Sequence, residues 1–162
     1  MTIAVGEKLP ATSFVEIGAE GPASVTVEAL TSGRKVALFA VPGAFTPTCH
    51  NTHVPSFVAA AADLSAKGVE EIVCVSVNDP FVMKAWGEAT GATAAGIRML
   101  ADPESAFTKA LGLDFSAPPV GLMSRSQRYS MLVENGVVKV LNVEGSPGEA
   151  ACSLGGALAD QL

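Results

Sequence analysis

Cysteine is scarce in this chain and never arranged as C-x-x-C: the three residues Cys49, Cys74 and Cys152 are an odd count at wide spacing. That excludes the disulfide framework of a small secreted domain and the motif of a dithiol oxidoreductase. In a reducing compartment the three rest as thiols, and any disulfide between them is transient. Runs of Lys or Arg are also missing, and the formal net charge is -6, so nucleic acid and anionic membranes are not expected partners. No stretch approaches the ~18 apolar residues of a membrane span. The opening Met1 to Lys8 has no charged region followed by an apolar one, so the expected compartment is the cytoplasm. Aromatics are few, which leaves Val, Leu, Ala and Ile to build the core. With 49% hydrophobic and only 16% charged residues the chain is compact rather than disordered. Its 162 residues suit one domain over 1–162 that needs no disulfide for stability.

What is present reads as alternating elements. Ser13 to Val27 suggests an N-terminal hairpin around Gly18 to Pro22. The continuous apolar run Lys35–Val41 predicts a strand covered on both faces, ending at Pro42-Gly43. Thr48 to Lys67 suits a helix capped by Thr48, stopped at Gly68 and kinked at Pro55. Ile72 to Val77 predicts a second buried strand, Asn78-Asp79-Pro80 a helix start, and Ile97 to Ala101 a third strand. A short helix over Pro103–Leu111 follows, then a loop over Leu113–Pro119 and another containing Arg125. A hairpin is predicted over Asn135-Gly136 between Tyr129–Glu134 and Val137–Val143, and a closing helix over Ser153–Leu162. This order describes an α/β domain, a central mixed sheet flanked by helices, of thioredoxin-like architecture.

On this map Cys49 falls at the carboxyl end of a buried strand, in the first turn of the next helix. Ligands of α/β sheets bind at that end, and a helix start favours an anion such as a thiolate, the nucleophilic form of cysteine. Thr46 and Thr48 offer hydroxyl groups to sulfur or substrate, Pro42 and Pro47 stiffen the loop, and Phe45 supplies an apolar wall. An inert buried cysteine after a strand remains the alternative. Cys49, His50 and His53 read C-H-x-x-H, but residues 49 and 50 point about 100° apart on a helix and no further ligand joins them, so no metal is expected. His53 is read instead as a structural hydrogen-bonding residue and His50 as largely solvated.

The segment Pro42-x-x-x-Thr46-x-x-Cys49 resembles the signature of peroxiredoxins, and Val41 to Cys49 as a whole resembles the type II, or peroxiredoxin-5, branch. Further resemblance runs through Thr52-His53-Val54-Pro55, Val75 to Asp79, Leu100 to Pro103, Arg128-Tyr129-Ser130-Met131 and Cys152-Ser153-Leu154. The resemblance implies a thiol peroxidase in which Cys49 attacks hydrogen peroxide or an alkyl hydroperoxide and becomes a sulfenic acid. It further implies that Thr46 aligns thiolate and peroxide, Pro42 shields the sulfur, and Arg128, on a strand, stabilises developing charge. Gly43, Phe45 and Thr48 line the pocket, while Arg125 is read as a solvated loop residue. No metal, haem or flavin is implied.

Two resolving patterns occur among such relatives, and a cysteine stands at each position. Cys74 lies mid-strand among valines, where a buried cysteine usually acts as a small hydrophobe. Cys152 follows the flexible stretch Gly145 to Ala151, so an exposed, mobile Cys152 is the expected resolving residue, forming an intramolecular disulfide recycled by thioredoxin or glutaredoxin. The alternatives are Cys74, a one-cysteine cycle using glutathione or glutaredoxin, and a peroxide-sensing redox module without turnover. The resemblance also suggests a homodimer joined through loops beside the site.

Overall fold

The computed structural model describes residues 1–162 throughout, and its strands follow from the apolar runs. β1 (Ser13–Gly18) and β2 (Gly21–Thr26) form the expected hairpin. A short helix, α1 (Val27–Thr31), leads into β3 (Lys35–Val41). The chain continues through α2 (Val54–Ala66), β4 (Glu71–Ser76), α3 (Pro80–Thr90), β5 (Ile97–Ala101) and α4 (Ala106–Leu111). A small antiparallel hairpin, β6 (Asp114–Ala117) with β7 (Leu122–Ser126), stands apart from the main sheet. Then come β8 (Tyr129–Glu134), β9 (Val137–Val143) and α5 (Gly155–Asp160).

Seven strands make one sheet in the order β2-β1-β5-β4-β3-β8-β9. The neighbours β3, β4 and β5 are parallel, and β8 runs antiparallel to β3. Side chains alternate between the two faces of a strand. On β3, Ala37, Phe39 and Val41 therefore enter one apolar layer with α2, α3 and α5, while Val36, Leu38 and Ala40 enter the other with α1 and α4. Both layers are closed to water, which is why β3 reads as one unbroken apolar run. Phe39 stacks on Phe57 of α2 at 4.0 Å in the first layer, and Phe14 meets Phe107 edge-on at 4.7 Å in the second. Each such ring contributes roughly 1.5–3 kcal/mol through burial.

Local chemistry explains the element ends. Asp79 caps α3 by accepting the Val82 N–H at 2.9 Å, with Pro80 in the first turn and Gly91 left-handed beyond the last residue. Asn135 and Gly136 both take positive φ, as the tight β8–β9 turn requires.

Seven expectations need correction. Thr48 does not cap the helix: its backbone is already helical and its side chain makes no cap bond, because helical structure begins at Pro47 and Thr46 takes the entry position. The irregularity expected at Pro55 appears as a π-helical turn over Cys49–His53, whose Val54 N–H reaches the Cys49 carbonyl; the proline follows it and needs no donor. Arg125 lies on β7, and Leu113–Pro119 contains β6, since the short mixed runs there pair only with each other. Arg128 precedes β8 rather than lying on a strand. Helices α4 and α5 are also shorter than their apolar patterns suggested, because Ser105 adopts a left-handed φ before α4 and residues 151–154 turn before α5.

Candidate active site

The loop leaving β3 is fixed from three sides. Ala44 N–H donates to Asn78 Oδ1 at 3.0 Å, and that same oxygen accepts from Ser76 Oγ at 2.6 Å, so the β4–α3 connection holds the loop. Phe45 takes φ 65°, a left-handed conformation costing a side-chain-bearing residue roughly 1–2 kcal/mol. This reversal brings Thr46 over the helix start, where its carbonyl accepts the His50 N–H at 2.9 Å. Gly43 is required by space: a Cβ there would sit 2.7 Å from Arg125 Nη1 and 3.2 Å from Thr46 Cγ2.

Two donors converge on the Cys49 sulfur. Thr46 Oγ1 lies 2.8 Å from Sγ and 2.8 Å from the Gly43 carbonyl, so its single hydrogen is shared between two acceptors. Arg128 Nη2 donates to Sγ at 3.0 Å. Arg128 is only 2% exposed, makes no carboxylate ion pair, and spends its other donors on the Pro147 carbonyl and on His53 Nδ1. A buried guanidinium stays charged and is costly without a compensating group. The Cys49 sulfur is the one direct contact able to carry that negative charge.

His53 completes the bracket. Its Nδ1 accepts from Arg128 Nη1 at 3.0 Å, which leaves the hydrogen on Nε2 to donate to the Ser153 carbonyl at 3.0 Å. Burial, and then the Arg128 charge, hold its pKa down from 6.5 to about 3, so the ring is neutral. Neutrality matters because an imidazolium could not accept from the guanidinium.

The structure therefore brings Thr46 and Arg128 to the Cys49 sulfur, with Pro42 buried at the start of the same loop. Thr48 turns elsewhere, its hydroxyl reaching the Gly148 carbonyl at 3.3 Å. Phe45 is half exposed and stacks on His50 at 5.8 Å, so it forms an outer rim rather than a wall sealed over the sulfur. His50 is partly buried, not solvated, and its Nδ1 accepts the Trp86 indole N–H at 3.0 Å. In each imidazole of C-H-x-x-H, Nδ1 thus accepts a hydrogen bond from a protein side chain. Arg125, read as solvated, donates to the Pro42 carbonyl at 3.2 Å. Cys74 is fully buried, and burial pushes its thiol well above the usual range. Cys152 is exposed, its thiol raised by partial burial and by the Glu144 carboxylate, and Sγ lies 3.6 Å from the Val143 carbonyl. Sequence reading set Arg125 aside as solvated and missed Glu144, because both act mainly through distant main-chain groups that carry no residue-type signal.

The chain is similar to known proteins along most of its length. The Redoxin family model matches residues 4–157. The chain is 54% identical over 147 residues to the chloroplastic peroxiredoxin-2E-2 of Oryza sativa subsp. japonica, covering 88% of this chain and 65% of that protein. It is 47% identical to peroxiredoxin-2C of the same plant, covering 88% of each. This chain spans less than two thirds of the chloroplastic relative's length and about the same share, 62%, of peroxiredoxin-2E from Arabidopsis thaliana. Among solved structures, reduced Prx3 from Vibrio vulnificus in complex with H2O2 superposes with a TM-score of 0.93 at 48% identity, covering 99% of both chains. Peroxiredoxin 5 from Alvinella pompejana gives 0.84 at 33% identity over 97% of this chain and 96% of that one. The fold is accordingly thioredoxin-like, and the chain belongs to the redoxin family and, within it, to the type II peroxiredoxins.

Proposed function

We propose that this protein reduces hydroperoxides with Cys49 as the attacking thiolate. The observation that carries this reading is the buried Arg128 guanidinium, whose one direct contact able to hold negative charge is Cys49 Sγ. Sulfur attacks one peroxide oxygen, the O–O bond breaks, and the departing oxygen leaves with the bond pair and takes a proton as water or alcohol. Cys49 is left as a sulfenic acid. Arg128 favours the thiolate and the charge that develops on the oxygens. Thr46 serves both partners: when its hydrogen turns to the Gly43 carbonyl, its oxygen can accept from the peroxide O–H.

Cys152 is the proposed resolving thiol, recycled by thioredoxin or glutaredoxin. What supports it is exposure, and the neighbouring Ser153 carbonyl already bonded to His53. Cys74 has no such access. Exposed Phe45 on the loop after β3, Phe81 in the first turn of α3, and Val120 and Met123 on the β6–β7 hairpin offer apolar surface that supports a homodimer. The cytoplasm is the proposed compartment. No helix is long and apolar enough to cross a membrane, and two relatives are named as chloroplastic.

Peroxide consumption coupled to a thioredoxin system tests the activity. Wild type should turn over and Cys49→Ser should not; equal rates would reject the reading. Mass spectrometry after one equivalent of peroxide tests resolution: a Cys49–Cys152 peptide is expected, and a Cys49–Cys74 peptide or a glutathione adduct in its place would overturn that assignment.

A further inference from the structure

Residues 145–153 cross the site as an irregular strap between β9 and α5. Two side chains of the site, and Thr48 beside it in sequence, lean on its carbonyls. Arg128 Nε and Nη2 donate to Pro147 at 3.3 and 3.0 Å, Thr48 to Gly148 at 3.3 Å, and His53 to Ser153 at 3.0 Å. Yet the strap has no ladder of its own, only the turn-closing bonds Glu149 N to Ser146 O and Leu154 N to Ala151 O. Its anchor is Glu144, at the end of β9 and 8% exposed. One carboxylate oxygen accepts from Ala151 N–H at 2.7 Å, Ser153 N–H at 2.8 Å and Ser153 Oγ at 2.7 Å. The Glu144 N–H in turn donates to the Arg128 carbonyl at 3.0 Å. Cys152 lies between the two residues whose N–H groups are held.

We propose that Glu144 is a positioning residue: its carboxylate knots the strap so that Arg128 and His53 are braced for attack on peroxide, and the same knot restrains Cys152 until resolution. The second half rests on the reading that Cys152 resolves; the first half does not. The knotted state also discourages resolution chemically, since partial burial and the adjacent Glu144 charge keep the Cys152 thiol protonated. In the resolving step the Cys152 sulfur bonds to the Cys49 sulfur, the S–O bond breaks, and the hydroxyl leaves with the thiol proton as water. Cys49 is reduced from sulfenic acid as Cys152 is oxidised, so no other oxidant or reductant enters.

A merely structural glutamate would change both steps alike, whereas a knot changes them in opposite directions. Trp86, the only tryptophan, is bonded to His50 and lies 6.4 Å from Phe45, so its fluorescence reports on this site. With hydrogen peroxide in stopped flow, Glu144→Ala should slow the oxidation phase by about tenfold to a hundredfold, the usual result of loosening a positioned group. Quenching with N-ethylmaleimide and mass spectrometry should show the Cys49–Cys152 disulfide forming faster after oxidation than in wild type. Glu144→Gln keeps an acceptor oxygen and should recover most of the oxidation rate while folding as wild type does. Both phases slowing together, oxidation unchanged in Glu144→Ala, or Glu144→Gln oxidising as slowly as Glu144→Ala would each overturn the proposal. The same oxidation measurement in a Cys152→Ser background separates the two claims. A slow Glu144→Ala there supports the bracing even if wild type forms no Cys49–Cys152 disulfide, a result that would overturn the resolving assignment and the restraint together.

Discussion

Cys49 and Cys74 lie in the same apolar layer, and neither is exposed at all, yet their sulfurs meet different surroundings. Cys74 sits mid-strand, paired in register with Phe39 on β3 and Met99 on β5, where the ladder consumes the backbone donors and hydrocarbon packs the side chain. Its thiol is driven well above the normal range by burial. Cys49 is only eight positions past the last strand residue, but those positions hold a left-handed turn and a helix start, which deliver the Thr46 hydroxyl and admit Arg128. Burial alone therefore says nothing about reactivity. The difference lies in which donors reach the sulfur.

The strongest way to break this comparison is to remove the buried charge. Arg128→Ala should lower the second-order rate with hydrogen peroxide by about 10²–10³, the usual cost of losing one donor aimed at developing charge. Arg128→Lys should recover little of it, because an ammonium cannot reach Sγ, the Pro147 carbonyl and His53 in one planar fork. Stopped-flow Trp86 fluorescence gives the rate. A Cys49 that stayed as reactive without Arg128 would show that the helix start alone suffices.

Much of this contrast was legible in the chain, for a physical reason. The strands around Cys49 are two-sided and apolar, so Lys35–Val41 and Ile72–Val77 declare themselves, and Asp79-Pro80 and Asn135-Gly136 mark boundaries with chemistry that few other residues supply. The motif residues Pro42, Thr46 and Cys49 sit together in sequence, and Arg128 carried a family resemblance. What escaped depends on distant main-chain partners. Arg125 reaches a carbonyl 83 residues away and Glu144 binds N–H groups of a strap without periodicity. The β6–β7 hairpin escaped because each of its strands pairs only with the other. The π-turn at Cys49–His53 was foreshadowed only by Pro55, which signals irregularity without specifying its form.

A smaller effect sharpens the role of His53. The unfolded ring takes a proton near pH 6.5, whereas the folded ring resists until about pH 3. Between those values the unfolded chain binds more protons, so stability rises with pH across the window and is lost as pH falls through it, by on the order of a few kcal/mol in total. Thermal midpoints measured from pH 7 to pH 4 should fall more steeply for wild type than for His53→Gln, whose amide cannot titrate. Parallel slopes would mean that the ring is not held neutral by its burial against Arg128.

The smallest expected effects belong to Cys74, and their pattern tests whether its sulfur is packing alone. Cys74→Ala removes one buried atom and should cost about 1 kcal/mol, in the range of a single deleted core group. Cys74→Ser keeps the volume but places a hydroxyl among Phe39, Met99 and their neighbours; an unmatched polar group of that kind costs roughly 1–3 kcal/mol. Serine should therefore be the worse substitution in denaturant unfolding, the order expected when the native atom behaves as a hydrophobe. Neither change touches the donors at Cys49, so the peroxide rate of both variants should stay within about twofold of wild type, well inside a 1.4 kcal/mol, tenfold change in barrier. A large rate loss in Cys74→Ala, with stability preserved, would show that the two sulfurs are chemically coupled through the core they share.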